Sequence, residues 1–176
     1  MAGTNAFWDS IVPISSVGQY SIGRFACGVP ELDKWFRESS ITSERRGECR
    51  VHVCIDRNGS VVAFFTLSAL SINPSGLSSG HRGGISGAIP ATLLGKLGVC
   101  EEMQGSRGCG TAVLNEAKRR SFESSMHVSS RLLVVDAMSD ELVGWYEKRG
   151  FKSLEDDPRR LVCKMSSIGK ELGIIA

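Results

Sequence analysis

The chain has 176 residues, 41% of them hydrophobic and 23% charged, with a formal net charge of +2 at pH 7. This length and balance are those of one soluble globular domain with a substantial core, and a charge of +2 does not by itself imply nucleic acid. No apolar run is long enough to span a bilayer, and the polar N-terminus carries no signal-peptide pattern.

Residues 1–9 show no pattern and are expected to be loose, and 11–14 read as a short first strand. Phe25-Ala-Cys-Gly-Val-Pro-Glu-Leu-Asp-Lys-Trp-Phe announces a helix: Pro30 suits its first turn, Glu31 and Asp33 complement its dipole, and Leu32, Trp35 and Phe36 form its apolar stripe. Residues 50–56 and 60–71 are rich in β-branched and aromatic side chains, and Asn58-Gly59 between them predicts a hairpin. Residues 73–90 hold Gly, Ser and Pro in abundance and read as a long connection with room for one helical turn.

The apolar run 93–99 predicts a buried strand, followed by a glycine-rich turn at 105–110 and a helix over 111–122. Strand, glycine turn and helix aim backbone N–H groups at an anion, and the helix dipole adds positive potential. Gly105, Gly108 and Gly110 would let a phosphate approach the backbone, and Arg107 would add a guanidinium. The plain alternative is a tight connection that binds nothing. Lys118, Arg119 and Arg120 are expected near the helix C-terminus, where cations suit the dipole.

Residues 131–137 read as a second buried strand, because their Leu and Val run shows no alternation. Ser139 is a helix cap, and the helix after it carries Leu142, Trp145 and Tyr146 on one face. Residues 151–154 and 161–165 predict a hairpin around Asp156-Asp157-Pro158, and 166–176 a short helix or tail, with 167–176 the part expected to be loose. The order of elements predicts an α/β (α+β) fold: a mixed, mostly antiparallel sheet with helices on both faces. Cys27, Cys49, Cys54, Cys100, Cys109 and Cys163 form neither a CxxC pair nor a Cys/His cluster of zinc spacing. Buried free thiols in a reducing cytoplasm are expected, and no metal.

Two stretches together resemble a known family. Gly105 to Thr111 is similar to the pyrophosphate loop of GNAT N-acetyltransferases, whose pattern is R/Q-x-x-G-x-G/A. Arg-Leu-Leu-Val-Val-Asp-Ala-Met-Ser-Asp-Glu-Leu-Val-Gly-Trp-Tyr-Glu-Lys-Arg-Gly-Phe, ending at Phe151, resembles the closing half of the same fold. Gly105 stands where the pattern has Arg or Gln, and Gln104 lies one residue earlier: either the loop is one residue longer, or Arg107 replaces the usual first-position side chain. Cys100 stands where Asp is common. Within the family, Phe-Ala-Cys-Gly-Val-Pro-Glu-Leu-Asp-Lys-Trp-Phe, Phe64-Phe65-Thr66-Leu67-Ser68, Leu94-Gly95-Lys96-Leu97-Gly98-Val99, Arg131-Leu-Leu-Val-Val-Asp-Ala and Asp157-Pro-Arg-Arg-Leu-Val resemble the toxins of GNAT/ribbon-helix-helix toxin–antitoxin pairs.

The resemblance implies one GNAT domain over 1–176, with six to seven strands and two central strands splayed into a cofactor cleft. It implies that the backbone of Leu97, Gly98 and Val99 pairs with the pantetheine arm of acetyl-CoA, the Val99 N–H polarising the thioester carbonyl. Gly105, Ser106, Arg107, Gly108, Cys109, Gly110 and Thr111 would hold the pyrophosphate, and Tyr146 would be the general acid for the thiolate. A thiol nucleophile at Cys100 or Cys109 is disfavoured, because no adjacent His activates either. The toxins acetylate the α-amine of aminoacyl-tRNA and block translation, which implies a ribbon-helix-helix antitoxin, a homodimer and a cytoplasmic location. An α-amine, with a pKa of about 7.7–8.0 against about 10.4 for lysine, needs little help from a base. Arg45, Arg46, Arg50, Lys148 and Arg149 are the candidates for tRNA phosphates, with solvated faces as the plain alternative. The competing readings are a small-molecule or peptide N-acetyltransferase and a non-catalytic acetyl-CoA or partner-binding module.

Overall fold

The computed structural model describes residues 7–105 and 108–175. In chain order they form β1 (Ser10–Pro13), α1 (Gln19–Arg24), α2 (Pro30–Glu38), α3 (Ser40–Arg45), β2 (Arg50–Ile55), β3 (Val61–Ile72), α4 (Ser79–Arg82) and β4 (Ile89–Val99). Then follow α5 (Cys109–Ser125), β5 (Leu132–Asp136), α6 (Asp140–Glu147), β6 (Lys152–Ser153), β7 (Arg160–Lys164) and α7 (Met165–Glu171). The strands make one sheet in the order β1-β2-β3-β4-β5-β7-β6. The pairs β1–β2, β2–β3, β5–β7 and β7–β6 are antiparallel, and β4–β5 is parallel. A parallel pair needs a long crossover, and α5 supplies it.

The chain forms two compact units. The first holds the described residues of Met1–Leu67 and Lys96–Glu116. Its core is aromatic: Phe36 stacks on Phe64 at 4.4 Å between centroids, and Phe25 meets the two rings at 4.7 and 5.4 Å. Ile14, Ile22, Val51 and Val53 complete it. Pro30 occupies the first turn of α2, as its fixed φ and missing N–H favour. Asp33 does more than complement the dipole: it is buried and accepts the Cys27 N–H at 2.7 Å. In the β2–β3 turn the Asp56 carboxylate accepts the N–H groups of Asn58 and Ser60, which fixes the hairpin. Residues 7–9 are not loose, since Trp8 is buried and Asp9 donates to the Ile55 carbonyl; residues 1–6 lie outside the described residues.

The second unit holds the described residues of Ser68–Gly95 and Ala117–Ala176. Leu132, Leu133, Val134 and Val135 of β5 are all buried, which explains the absence of alternation in that run. Ile72, Ile89, Ala91, Leu154 and Val162 pack with Leu132 and Val134. β4 and β5 are in register from Ala91↔Leu132 to Leu94↔Val135, and β4 continues past that ladder to Val99.

Two expectations are corrected here. α5 extends to Ser125, so Lys118, Arg119 and Arg120 lie within the helix and the dipole does not account for them. Lys118 is 2% exposed; its ammonium donates to the Arg149 carbonyl at 2.7 Å and to the Glu171 carboxylate at 2.9 Å. The C-terminal segment is also packed: residues through 171 are helical, and Ile168 is fully buried. Among the described residues no helix is long and apolar enough to cross a membrane, and no group of three or more His, Cys, Asp or Glu could hold a metal ion.

Candidate active site

The first unit carries the strand end and glycine loop. Gly98 is dictated by packing: a Cβ there would lie 2.7 Å from Cε1 of Phe64, so the strand backbone rests directly on the aromatic core. The Lys96 N–H is taken by the Thr66 hydroxyl at 2.9 Å, a side chain standing in for a ladder carbonyl. Beyond Val99, Cys100 donates to Val62 and Glu101 to Ala26, and one 3-10 turn, Glu101–Met103, reverses the chain. Gln104 then donates from Nε2 to the carbonyls of Val99 and Cys27, at 2.8 and 2.6 Å. This single amide fastens the base of the loop to the strand end. The sequence pointed at Gln104 only as an offset match to the loop pattern, and its strapping role was not read from it.

Gly105 and Gly108 have φ of +95° and +82°, a conformation that strains any residue with a side chain. A Cβ on either would meet nothing within 4 Å, so open space lies beside the backbone. Ala112 donates to Gly108 in the first turn of α5, and the Cys109 and Gly110 amides stand ahead of it at the positive end of the helix. Open space, accessible backbone and a helix N-terminus are the surroundings a pyrophosphate requires, and the described residues fit one. Ser106 and Arg107 lie outside the described residues. Burial pushes the Cys109 thiol up to about 11 despite its place at a helix N-terminus, and burial raises Cys100 too. Both are neutral thiols at pH 7, which removes the condition for a thiolate nucleophile.

The second unit carries Tyr146 in the last turn of α6. Ser139 caps this helix, its hydroxyl accepting the Leu142 N–H at 3.3 Å, and Asp140 and Glu141 sit in the first turn. The Tyr146 carbonyl accepts from Arg149 and Phe151, turning the chain out of the helix into β6. Its ring is held edge-on between Trp145 at 5.0 Å and Phe151 at 5.4 Å. Burial pushes the phenol up to about 12, so it is protonated across the neutral range. Lys118 braces the same turn through the Arg149 carbonyl. That role was missed, although the spacing 114, 118, 122 places Lys118 in line with buried Leu114 and Phe122.

The basic candidates fall into different settings. Arg45, Arg46 and Arg50 are exposed and line one cleft of the first unit with Ile14, Ile41 and Glu44. In the second unit Lys148 is exposed, whereas the Arg149 guanidinium lies over the Trp145 ring at 4.0 Å and donates to the Trp145 carbonyl. Arg149 is therefore partly a packing residue.

No protein-family model matches the chain. It is 23% identical over 188 residues, 98% of this chain and all of the other, to the probable toxin TacT of Sinorhizobium fredii. Among solved structures it is similar to AtaT complexed with acetyl-methionyl-tRNAfMet, with a TM-score of 0.84 and 21% identity over 93% of this chain and 98% of that one. It is also similar to AtaTR bound with AcCoA, with a TM-score of 0.79 and 22% identity over 93% and 97% of the two chains. A Tyr-to-Phe mutant of KacT gives a TM-score of 0.81 and 22% identity over 92% and 98%. The seven-stranded, mostly antiparallel open sheet with its helices is the GNAT fold of these toxins.

Proposed function

We propose that this chain, acting as one GNAT domain, is an acetyl-CoA-dependent N-acetyltransferase that acetylates the α-amine of an aminoacyl-tRNA. In this reading it is a translation-blocking toxin working in the cytoplasm as a homodimer and held in check by a ribbon-helix-helix antitoxin. The observation that carries the reading is the loop of Gly105 and Gly108, strapped by Gln104 and open to an anion at the start of α5. Its support is the likeness, along almost the whole chain, to relatives solved with acetyl-CoA and with acetylated tRNA.

The donor supplies an acyl group activated as a thioester. Leu97, Gly98 and Val99 hold its arm through backbone pairing, and the Val99 N–H draws charge onto the carbonyl oxygen. Gly105, Ser106, Arg107, Gly108, Cys109, Gly110 and Thr111 would hold the pyrophosphate. The neutral α-amine forms the new C–N bond as the C–S bond breaks. The amine's surplus proton leaves to water, and Tyr146 gives its hydroxyl proton to the departing sulfur and regains one from solvent. No cysteine adduct is needed, which agrees with the neutral thiols of Cys100 and Cys109. Arg45, Arg46, Arg50, Lys148 and Arg149 supply positive charge toward the tRNA backbone.

The test is direct. Purified protein is given labelled acetyl-CoA and total charged tRNA, and label is expected in RNA and to be released by mild alkaline deacylation. Label appearing instead in peptides or small amines, with none in RNA, would make this an acetyltransferase of another substrate class.

A further inference from the structure

The cleft lined by Arg45, Arg46 and Arg50 encloses about 430 Å3, in the range of small-ligand pockets. Its buried part is apolar, formed by Ile14 and half-buried Ile41, and its rim is cationic. The guanidiniums of Arg45 and Arg50 have no ion-pair or hydrogen-bond partner among the described residues, while that of Arg46 is 3.9 Å from Glu48. Glu44, the acid in the lining, is turned to the backbone and accepts the Val51 N–H at 2.7 Å. Two unpaired guanidiniums flank an apolar recess, and the lining's three arginines outnumber its one carboxylate. The cleft belongs wholly to the first unit, as does the glycine loop.

We infer that this cleft takes one unpaired nucleotide of an RNA, the base over half-buried Ile41 and the flanking phosphates on Arg45 and Arg50. This rests on the reading of the substrate as a charged RNA and adds a place where unpaired RNA is gripped. The chemistry favours it: an unstacked base offers a flat apolar face between two anions, and guanidinium forks match phosphate oxygens. A run of acidic side chains would satisfy the rim and leave the apolar floor unused.

The experiment measures fluorescence anisotropy of a labelled ten-nucleotide single-stranded RNA, and of a duplex RNA of equal length, across a salt series. Wild type is compared with R45A/R50A and with R57A/R159A, a control of equal net charge whose arginines pair with Asp9 and Asp140. Losing two single-strand phosphate contacts should flatten the slope of log K against log salt by about 1.4, with the control pair near wild type. The duplex should bind more weakly and lose less. Equal slopes for the two variant pairs would overturn the proposal, as would a duplex that loses as much as the single strand. An equal loss of affinity for a polyglutamate peptide would also overturn it, in favour of an acidic protein segment. Labelled acetyl transfer keeps the two readings apart. Transfer to RNA with an unaltered slope in R45A/R50A refutes the cleft alone, and cleft-dependent RNA binding without transfer refutes the aminoacyl-tRNA reaction alone.

Discussion

Tyr146 concentrates the proposed chemistry in one hydroxyl. Tyr146→Phe keeps the ring between Trp145 and Phe151 and removes the acid, so turnover should fall by roughly 10²–10⁴-fold with coenzyme A affinity unchanged in calorimetry. Wild-type turnover in the Phe variant would assign the proton to water. The pH dependence has a definite sign. With the phenol pushed up to about 12, its ionisation should not lower the rate below about pH 10, while the rate should climb through the α-amine pKa of about 7.7–8.0. For stability, the folded pKa lies above the ordinary value of about 10, so the native state holds the proton more tightly. That contribution is complete below about pH 10 and fades as pH rises through about 12, readable as a falling urea midpoint absent from Tyr146→Phe.

At the scale of elements, the strand end and the loop make separate predictions. Gly98→Ala drives a Cβ into Phe64 within a core of fully buried rings and should cost about 1–3 kcal/mol in denaturant unfolding. Gly108→Glu meets open space but strains the backbone and sets an anion in the anion site; acetyl-CoA binding should vanish while far-UV circular dichroism is kept. Unchanged affinity there would remove the glycine loop from the site. Lys118→Met preserves volume but leaves the Arg149 carbonyl without its donor, for a loss of about 1–3 kcal/mol in the same unfolding assay. Glu171→Gln, on a half-exposed partner, should cost under about 1 kcal/mol, because the amide oxygen still accepts.

These elements also show what a sequence can and cannot disclose. The strands, the Asn58-Gly59 hairpin, the Ser139 cap and the loop glycines obey local rules of period, turn and capping and stand close to where those rules put them, although β4 begins at Ile89, ahead of the run 93–99 and inside the expected connection. Lys118 was misplaced because its partners, Arg149 and Glu171, are 31 and 53 residues away, and local charge patterning sees only the helix dipole. The Gln104 strap was hidden similarly, since one of its two carbonyls belongs to Cys27, 77 residues upstream. The packing of Arg149 on the Trp145 ring, one helical turn back, was likewise not read from the sequence.

At the scale of the whole molecule, activity should be legible in cells. If the proposed function holds, induced expression of the wild type is expected to arrest growth, and Tyr146→Phe to be tolerated while still co-purifying with the proposed antitoxin. Arrest by the Phe variant would place the toxicity outside acetyl transfer.

The division of the chain into interleaved stretches, 1–67 with 96–116 and 68–95 with 117–176, has a temporal consequence. Neither unit is contiguous, so a chain leaving the ribosome cannot finish the first before residue 116 or the second before its closing strand. β5 pairs with β7 along Leu132–Asp136, and β7 and α7 follow every other element of this unit in chain order. A nascent chain halted at residue 159 would expose one edge of β5 and lack the Lys118 partner Glu171. The unit that carries Tyr146 therefore stays unfinished until β7 has emerged to pair with β5. Expression truncated after residue 159 is accordingly expected to leave growth untouched.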